Sequence, residues 1–201
     1  MINYKSGFVT LLGRPNVGKS TLINKLIGKK ITITSPIAQT TRNKLRGILT
    51  TDDSQIIFID TPGVHKPHHL LGEKLVKNAK SAINGVDLIL LIFDSYYKPG
   101  KGDEYLRDLL ITNKAKILVV LNKWDLLENG DKIVRLNQYK ELLNDNFISF
   151  QEVSALSGHG CNQLIKKIRQ FLPEGKPLYP NDTIVDQPIK VMLSELIREQ
   201  V

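Results

Sequence analysis

Gly13-Arg14-Pro15-Asn16-Val17-Gly18-Lys19-Ser20 decides the reading of this chain. The apolar run Phe8-Val9-Thr10-Leu11-Leu12 precedes it, and Thr21-Leu22-Ile23-Asn24-Lys25-Leu26-Ile27 follows with apolar residues at helical spacing. The order is strand, glycine loop, helix, with G-x-x-x-x-G-K-S at the joint. Glycines let successive backbone N–H groups turn inward around phosphates, and the helix adds its N-terminal partial positive charge. Gly13, Arg14, Pro15, Asn16, Val17, Gly18, Lys19, Ser20 and Thr21 are thus the expected contacts to a nucleoside triphosphate. Lys19 should reach the β- and γ-phosphates and the Ser20 hydroxyl should ligate Mg²⁺.

Beyond this loop, short apolar runs alternate with longer amphipathic stretches, which predicts an α/β fold with a mainly parallel, buried sheet. Strands are expected at 8–12, 46–51, 55–59, 87–93, 116–121 and 148–152. Helices are expected at 19–27, 72–83, 103–112, 131–144 and 160–171. Asp52-Asp53-Ser54 is too short for a crossover helix, so the second and third strands should form one antiparallel hairpin. Residues 1–173 make one domain. Residues 174–188 read as a proline-rich extended linker. In residues 189–201, Val191, Leu193, Leu196, Ile197 and Val201 recur at helical spacing without a C-cap glycine, as in the first helix of a truncated second domain. A short terminal helix packed on the first domain is the other reading.

The chain has 201 residues, 41% hydrophobic and 24% charged, with a formal net charge of +8. That surplus fits an RNA or anionic-membrane partner, and equally a set of solvated lysines. Its single cysteine, Cys161, excludes an intramolecular disulfide and suits a reducing cytoplasm. No apolar run is long enough for a transmembrane segment, and none resembles a secretory leader.

Ile56-Ile57-Phe58-Ile59-Asp60-Thr61-Pro62-Gly63 is a buried strand ending in D-x-x-G. Asp60 is placed to hold the Mg²⁺ shell, with Thr61 and Pro62 leading to a Gly63 amide that senses the γ-phosphate. Asn122-Lys123-Trp124-Asp125 follows another apolar run. Asp125 can accept hydrogen bonds from the N1–H and 2-amino group of guanine, which adenine lacks. Asn122 and Lys123 should brace the loop and cover the base. Ser154-Ala155-Leu156 can offer the Ala155 amide to guanine O6. Within the polar stretch from Thr32 to Lys44, Gln39-Thr40-Thr41-Arg42 carries the threonine expected to complete the Mg²⁺ shell, with Thr41 preferred. His65, His68 and His69 read as a solvated loop, since Pro67 interrupts their spacing and no cysteine accompanies them.

Together these residues resemble the translation-associated P-loop GTPases, and among them the Era family. Gly13–Ser20, Asp60–Gly63, Asn122–Asp125 and Ser154–Leu156 are generic to such G domains. Ile33-Thr34-Ser35, Gln39-Thr40-Thr41-Arg42, Gly63-Val64-His65-Lys66-Pro67 and Leu71-Gly72-Glu73-Lys74-Leu75-Val76 are specific to Era, as is Ser194-Glu195-Leu196-Ile197-Arg198-Glu199. The related tandem-domain and tRNA-modifying GTPases usually carry Gly or Val before the switch threonine, where this chain has Gln39.

The resemblance implies a three-layer G domain whose mostly parallel six-stranded sheet contains one antiparallel strand. It implies a following KH domain that binds small-subunit ribosomal RNA, and a GTPase checkpoint in small-subunit assembly. A monomer in the cytoplasm, with room for peripheral contact at the inner face of the cell membrane, fits the same resemblance. Catalysis would involve Lys19, Thr41, Gly63 and Asn16. Val64 stands where many small GTPases carry a water-orienting glutamine, so intrinsic turnover should be slow. Asn16 is then expected to help coordinate K⁺ beside the phosphates. A GTP-gated binding module with incidental hydrolysis, or the G domain of a tRNA-modification or iron-transport GTPase, are the alternatives.

Overall fold

The computed structural model describes residues 3–31, 45–64, 81–111, 113, 115–143, 147 and 149–186. The segment with Thr40 and Thr41, the three histidines at 65–69, most of the helix expected at 72–83, and the terminal helix at 189–201 lie outside the described residues.

Six strands form one sheet: β1 (Lys5–Gly13), β2 (Leu45–Thr50), β3 (Ser54–Asp60), β4 (Leu88–Asp94), β5 (Lys116–Asn122) and β6 (Ser149–Glu152), in the order β2-β3-β1-β4-β5-β6. All pairings are parallel except β2 with β3, which runs from Leu45 opposite Asp60 to Thr50 opposite Gln55. The hairpin and the single antiparallel strand expected from Asp52-Asp53-Ser54 are therefore present.

Period-two alternation sorts each central strand between two cores. Leu88, Leu90 and Ile92 of β4 join Leu22, Ile23 and Leu26 of α1 (Lys19–Ile27) and Leu164 and Ile168 of the last described helix (Cys161–Phe171). Ile89, Leu91 and Phe93 face the other way. They pack on Leu106 and Leu110 of α2 (Lys101–Leu110) and on Tyr139 and Leu143 of α3 (Asn129–Leu143). With Cys161–Phe171 numbered α4, helices cover both faces, the three-layer arrangement of an α/β domain.

Helix α2 starts two residues before its expected boundary. Asp103 is not its first residue but its third, and Asp103 Oδ2 accepts from the Gly100 N–H at 2.9 Å. An acidic residue that reaches back to satisfy an orphan amide marks the third helical position.

Residues 173–186, expected as a linker, lie against the sheet. Ser6 N–H donates to Pro173 O at 3.2 Å and Gly175 N–H to Tyr4 O at 3.0 Å. Further on, Ile48 N–H donates to Ile184 O at 2.8 Å and Gly47 bridges Val185. This strap covers the edge strand β2, whose unpaired amides would otherwise face solvent. Gln55, fully buried, is its anchor. Its Oε1 accepts from Leu178 N–H at 2.7 Å and Tyr179 N–H at 2.9 Å, and its Nε2 donates to Tyr179 O at 2.9 Å.

Candidate functional site

Strand β1 hands the chain to the glycine loop at a point where no side chain fits. A Cβ on Gly13 would lie 2.5 Å from the Ile92 carbonyl oxygen. Asn16 (φ 63°) and Gly18 (φ 93°) are both left-handed, which curls the chain back so that its amides face one centre. Helix α1 then starts with no acidic residue of its own in the first turn, so no acid of the helix itself offsets its positive end. Lys19 is 7% exposed, and its Nζ donates to Gly13 O at 3.2 Å and Arg14 O at 2.9 Å. Burial pushes this ammonium down to about 8, against the attraction of Asp60.

At the carboxyl end of β3, Asp60 Oδ2 accepts from Ser20 Oγ at 3.0 Å, with both residues buried. These two hard oxygens, a hydroxyl and a carboxylate side by side, would suit Mg²⁺, with Ser20 as a ligand and Asp60 holding the shell through water. No group of three or more His, Cys, Asp or Glu gathers among the described residues. One hydroxyl and one carboxylate would suit an ion held mainly by phosphates and water.

The D-x-x-G turn runs directly over the phosphate loop. Thr61 Oγ1 donates to Leu11 O at 2.5 Å, and Val64 N–H donates to Gly13 O at 3.0 Å. A Cβ on Gly63 would sit 2.7 Å from the Pro15 backbone. Val64 is fully buried in the core beside Leu12 and Phe93, so its side chain packs and orients no water.

Asn122, 1% exposed, ties the phosphate end of the site to the base end. Its Nδ2 donates to Val17 O at 2.8 Å and its Oδ1 accepts from Ala155 N–H at 2.9 Å. The Ala155 amide is therefore engaged, and guanine O6 would have to share or take over that donor. Lys123 (φ 62°) directs its Nζ to Asp94 Oδ2 at 2.6 Å, and Asp125 is exposed on the following 3₁₀ turn, Trp124–Leu126. Ser154 is buried and caps its own loop, accepting from Ser157 N–H at 3.2 Å. Thr21, Asn24, Lys25, Lys29, Ala155 and Leu156 line a cavity of about 510 Å³. The start of α1 and the last motif thus meet, though they lie far apart in sequence.

Several contributors carry no motif. Ser95 N–H and Oγ both donate to Asn122 O, at 2.9 and 2.6 Å, holding the base loop from behind. Arg14 pairs with the buried Asp103 at 3.3 Å, fixing the phosphate loop to the start of α2. Asp94 was open to discovery, because it ends β4 as Asp60 ends β3. Ser95 and Asp103 gave no such signal.

A family model described as 50S ribosome-binding GTPase matches residues 8–123. A GTPase Era from Crocosphaera subtropica is 53% identical over 199 residues, covering 98% of this chain and 63% of the relative. The chain thus spans a little under two thirds of that curated relative. Among solved structures, Era in complex with MgGDPNP and nucleotides 1506–1542 of 16S ribosomal RNA superimposes with a TM-score of 0.89 at 37% identity, covering 98% of this chain and 67% of that one. A variant of Aquifex aeolicus Era bound to GDP·AlF4⁻ gives 0.90 at 34% identity, covering 98% and 66%.

Proposed function

The chain belongs to this P-loop GTPase family, and within it to the Era GTPases, and from that premise we propose that it is the GTP-hydrolysing switch of a small-subunit assembly factor. One observation carries the reading at the site. Asn122 joins Val17 of the phosphate loop to Ala155 of the base loop, so triphosphate and guanine are read by one connected frame.

In this reading the loop amides from Asn16 to Ser20 cradle the phosphates, and Lys19 swings from the Gly13 and Arg14 carbonyls onto the β- and γ-oxygens. Bound Mg²⁺, held through Ser20 and Asp60 with Thr41 joining, would neutralise charge on the transferred group. Gly63, already against Pro15, offers its amide where the γ-phosphate would end. Asp125 selects guanine over adenine. Val64, buried and apolar, leaves hydrolysis dependent on charge supplied elsewhere, and Asn16 is assigned to K⁺ coordination.

The relatives' identity supports the Era reading over a tRNA-modification or iron-transport G domain. The rRNA in the Era complex supports a small-subunit rRNA partner, and our reading assigns most of that contact to a KH domain. In this reading the protein acts in the cytoplasm, as a monomer. Among the described residues no helix is long and apolar enough to cross a membrane. Peripheral contact with the inner membrane face rests on the net charge of +8 alone.

Single-turnover GTP hydrolysis in K⁺ and in Na⁺, with and without small ribosomal subunits, tests the proposal. Wild type should be faster in K⁺ and Asn16→Ala should lose that difference. Equal rates in both salts remove the K⁺ assignment, and GTP bound without turnover, even on subunits, reduces the chain to a binding module.

A further inference from the structure

The loop joining β4 to α2 carries two aromatic rings that neither the core nor the nucleotide site uses. Tyr96 is 51% exposed and Tyr97 62%, and their rings meet edge to face, centroids 5.1 Å apart at 84°. Exposing two large rings side by side forgoes their burial, which marks a surface kept for contact.

The backbone beneath the rings is held at successive residues. Ser95 O accepts from Arg135 Nη1 at 2.8 Å, Tyr96 N–H donates to Asp94 Oδ1 at 3.2 Å, and Tyr97 O accepts from Tyr139 OH at 3.3 Å. Such a platform is ordered before anything docks, so docking costs little extra entropy.

Its charge is one-signed. Residues 95–102 read Ser-Tyr-Tyr-Lys-Pro-Gly-Lys-Gly, with Lys98 and Lys101 exposed and no acid among them. Both flanking carboxylates are engaged, Asp94 by Lys123 at 2.6 Å and Asp103 by Arg14 at 3.3 Å. Within residues 95–102 the exposed side chains are therefore two rings and two cations.

We propose that Tyr96 and Tyr97, flanked by Lys98 and Lys101, are a docking site for single-stranded RNA, with unpaired bases stacked on the rings and adjoining phosphates on the lysines. The site deepens the reading of this chain as a GTPase directed at ribosomal RNA and rests on it. Duplex RNA hides its base faces, so only an unpaired segment reaches the rings. A protein hot spot would be ringed by contacts that exclude water. Here the adjoining residues are Lys98, Pro99 and Gly100.

Fluorescein-labelled octauridylate, titrated into GDP-loaded residues 1–201 and followed by anisotropy, tests the site. Saturable binding is expected, weakened about tenfold or more by the double change Tyr96→Ala with Tyr97→Ala. Phenylalanine at both positions should keep it. Lys98→Ala with Lys101→Ala should flatten the salt dependence by about 1.4 in slope, two contacts at about 0.7 each. GDP affinity unchanged in all variants shows that they fold. The proposal is overturned if the alanine pair binds octauridylate like wild type, or if phenylalanine loses as much as alanine. It also falls if wild type ignores octauridylate while the tyrosines still govern binding to small subunits, which would identify a protein partner. GTP turnover without octauridylate binding removes only this site, whereas failure to bind guanine nucleotide removes the broader reading.

Discussion

Replacing Asn122 by alanine tests whether one side chain holds the two halves of the site together. The change removes two hydrogen bonds at once, to Val17 O at 2.8 Å and from Ala155 N–H at 2.9 Å. Val17 is 3% and Ala155 4% exposed, so water does not readily replace the lost partner. Each buried backbone group left unsatisfied costs about 1–3 kcal/mol, for a combined loss of roughly 2–6 kcal/mol. That is a large share of the roughly 5–15 kcal/mol that stabilises a typical domain. At about 2–4 °C per kcal/mol for a chain of this size, the melting temperature should drop by roughly 4–24 °C. Urea denaturation in the absence of nucleotide measures it, with an unchanged m-value confirming that the same surface unfolds. Asn122→Asp keeps an acceptor for Ala155 N–H but sets an oxygen against the Val17 carbonyl, and should do no better than alanine. A loss under about 1 kcal/mol for Asn122→Ala would show that the loops are held by something else, and the reasoning would be refuted.

Gly63→Ala forces a Cβ to 2.7 Å from the Pro15 backbone, an overpacking that costs about 1–3 kcal/mol and pulls D-x-x-G off the phosphate loop. GTP hydrolysis should fall much further than GDP affinity; equal losses in both would argue against a γ-phosphate role for Gly63. Lys19 has its proton affinity lowered from 10.5 to about 8, so between these values the unfolded chain binds the proton that the folded chain has released, and stability rises with pH. Nucleotide affinity should move the opposite way, because phosphates favour the ammonium and binding takes up a proton. Calorimetric Kd values for GDP should be level below pH 8 and weaken above it, and a level profile to pH 9.5 would exclude Lys19 as a phosphate ligand. Gln55→Ala removes three hydrogen bonds to the strap, at 2.7 to 2.9 Å, and should expose residues 173–186 to limited proteolysis while leaving GDP affinity intact. Cleavage no faster than wild type would show that the strap is held without Gln55.

The alternation of apolar runs and amphipathic stretches announced the sheet and its flanking helices because burial and backbone geometry act on neighbouring residues. Most described helix and strand boundaries differ from expectation by one to three residues, some elements gaining residues and others losing them. Strand β1 begins at Lys5 rather than Phe8, since Lys5 and Ser6 pair with Ser54 and Gln55 and the strap closes over Ser6. The motif residues were legible for a similar reason. Glycines that must curl, a lysine that must follow them and an acid that must end a strand leave local traces.

What local pattern cannot carry is a contact between distant segments. Asn122 was read as a brace, but only the folded chain shows it bonded to Val17 on one side and Ala155 on the other, which occupies the very amide expected to read guanine. The proline-rich run 174–188 has no apolar periodicity, so sequence offered no reason to dock it; the hold of its described residues, to Asp186, comes from backbone amides meeting Gln55 and β2, groups with no signature in composition. Sequence determined by itself that a phosphate loop, an acid-tipped strand and a guanine-type tetrapeptide follow in order, because each is a constraint on consecutive residues. Tertiary structure alone decided that Val64 is buried, that Arg14 and Asp103 pair, and that Tyr96 and Tyr97 stand in solvent, because burial and pairing belong to packing between elements far apart along the chain.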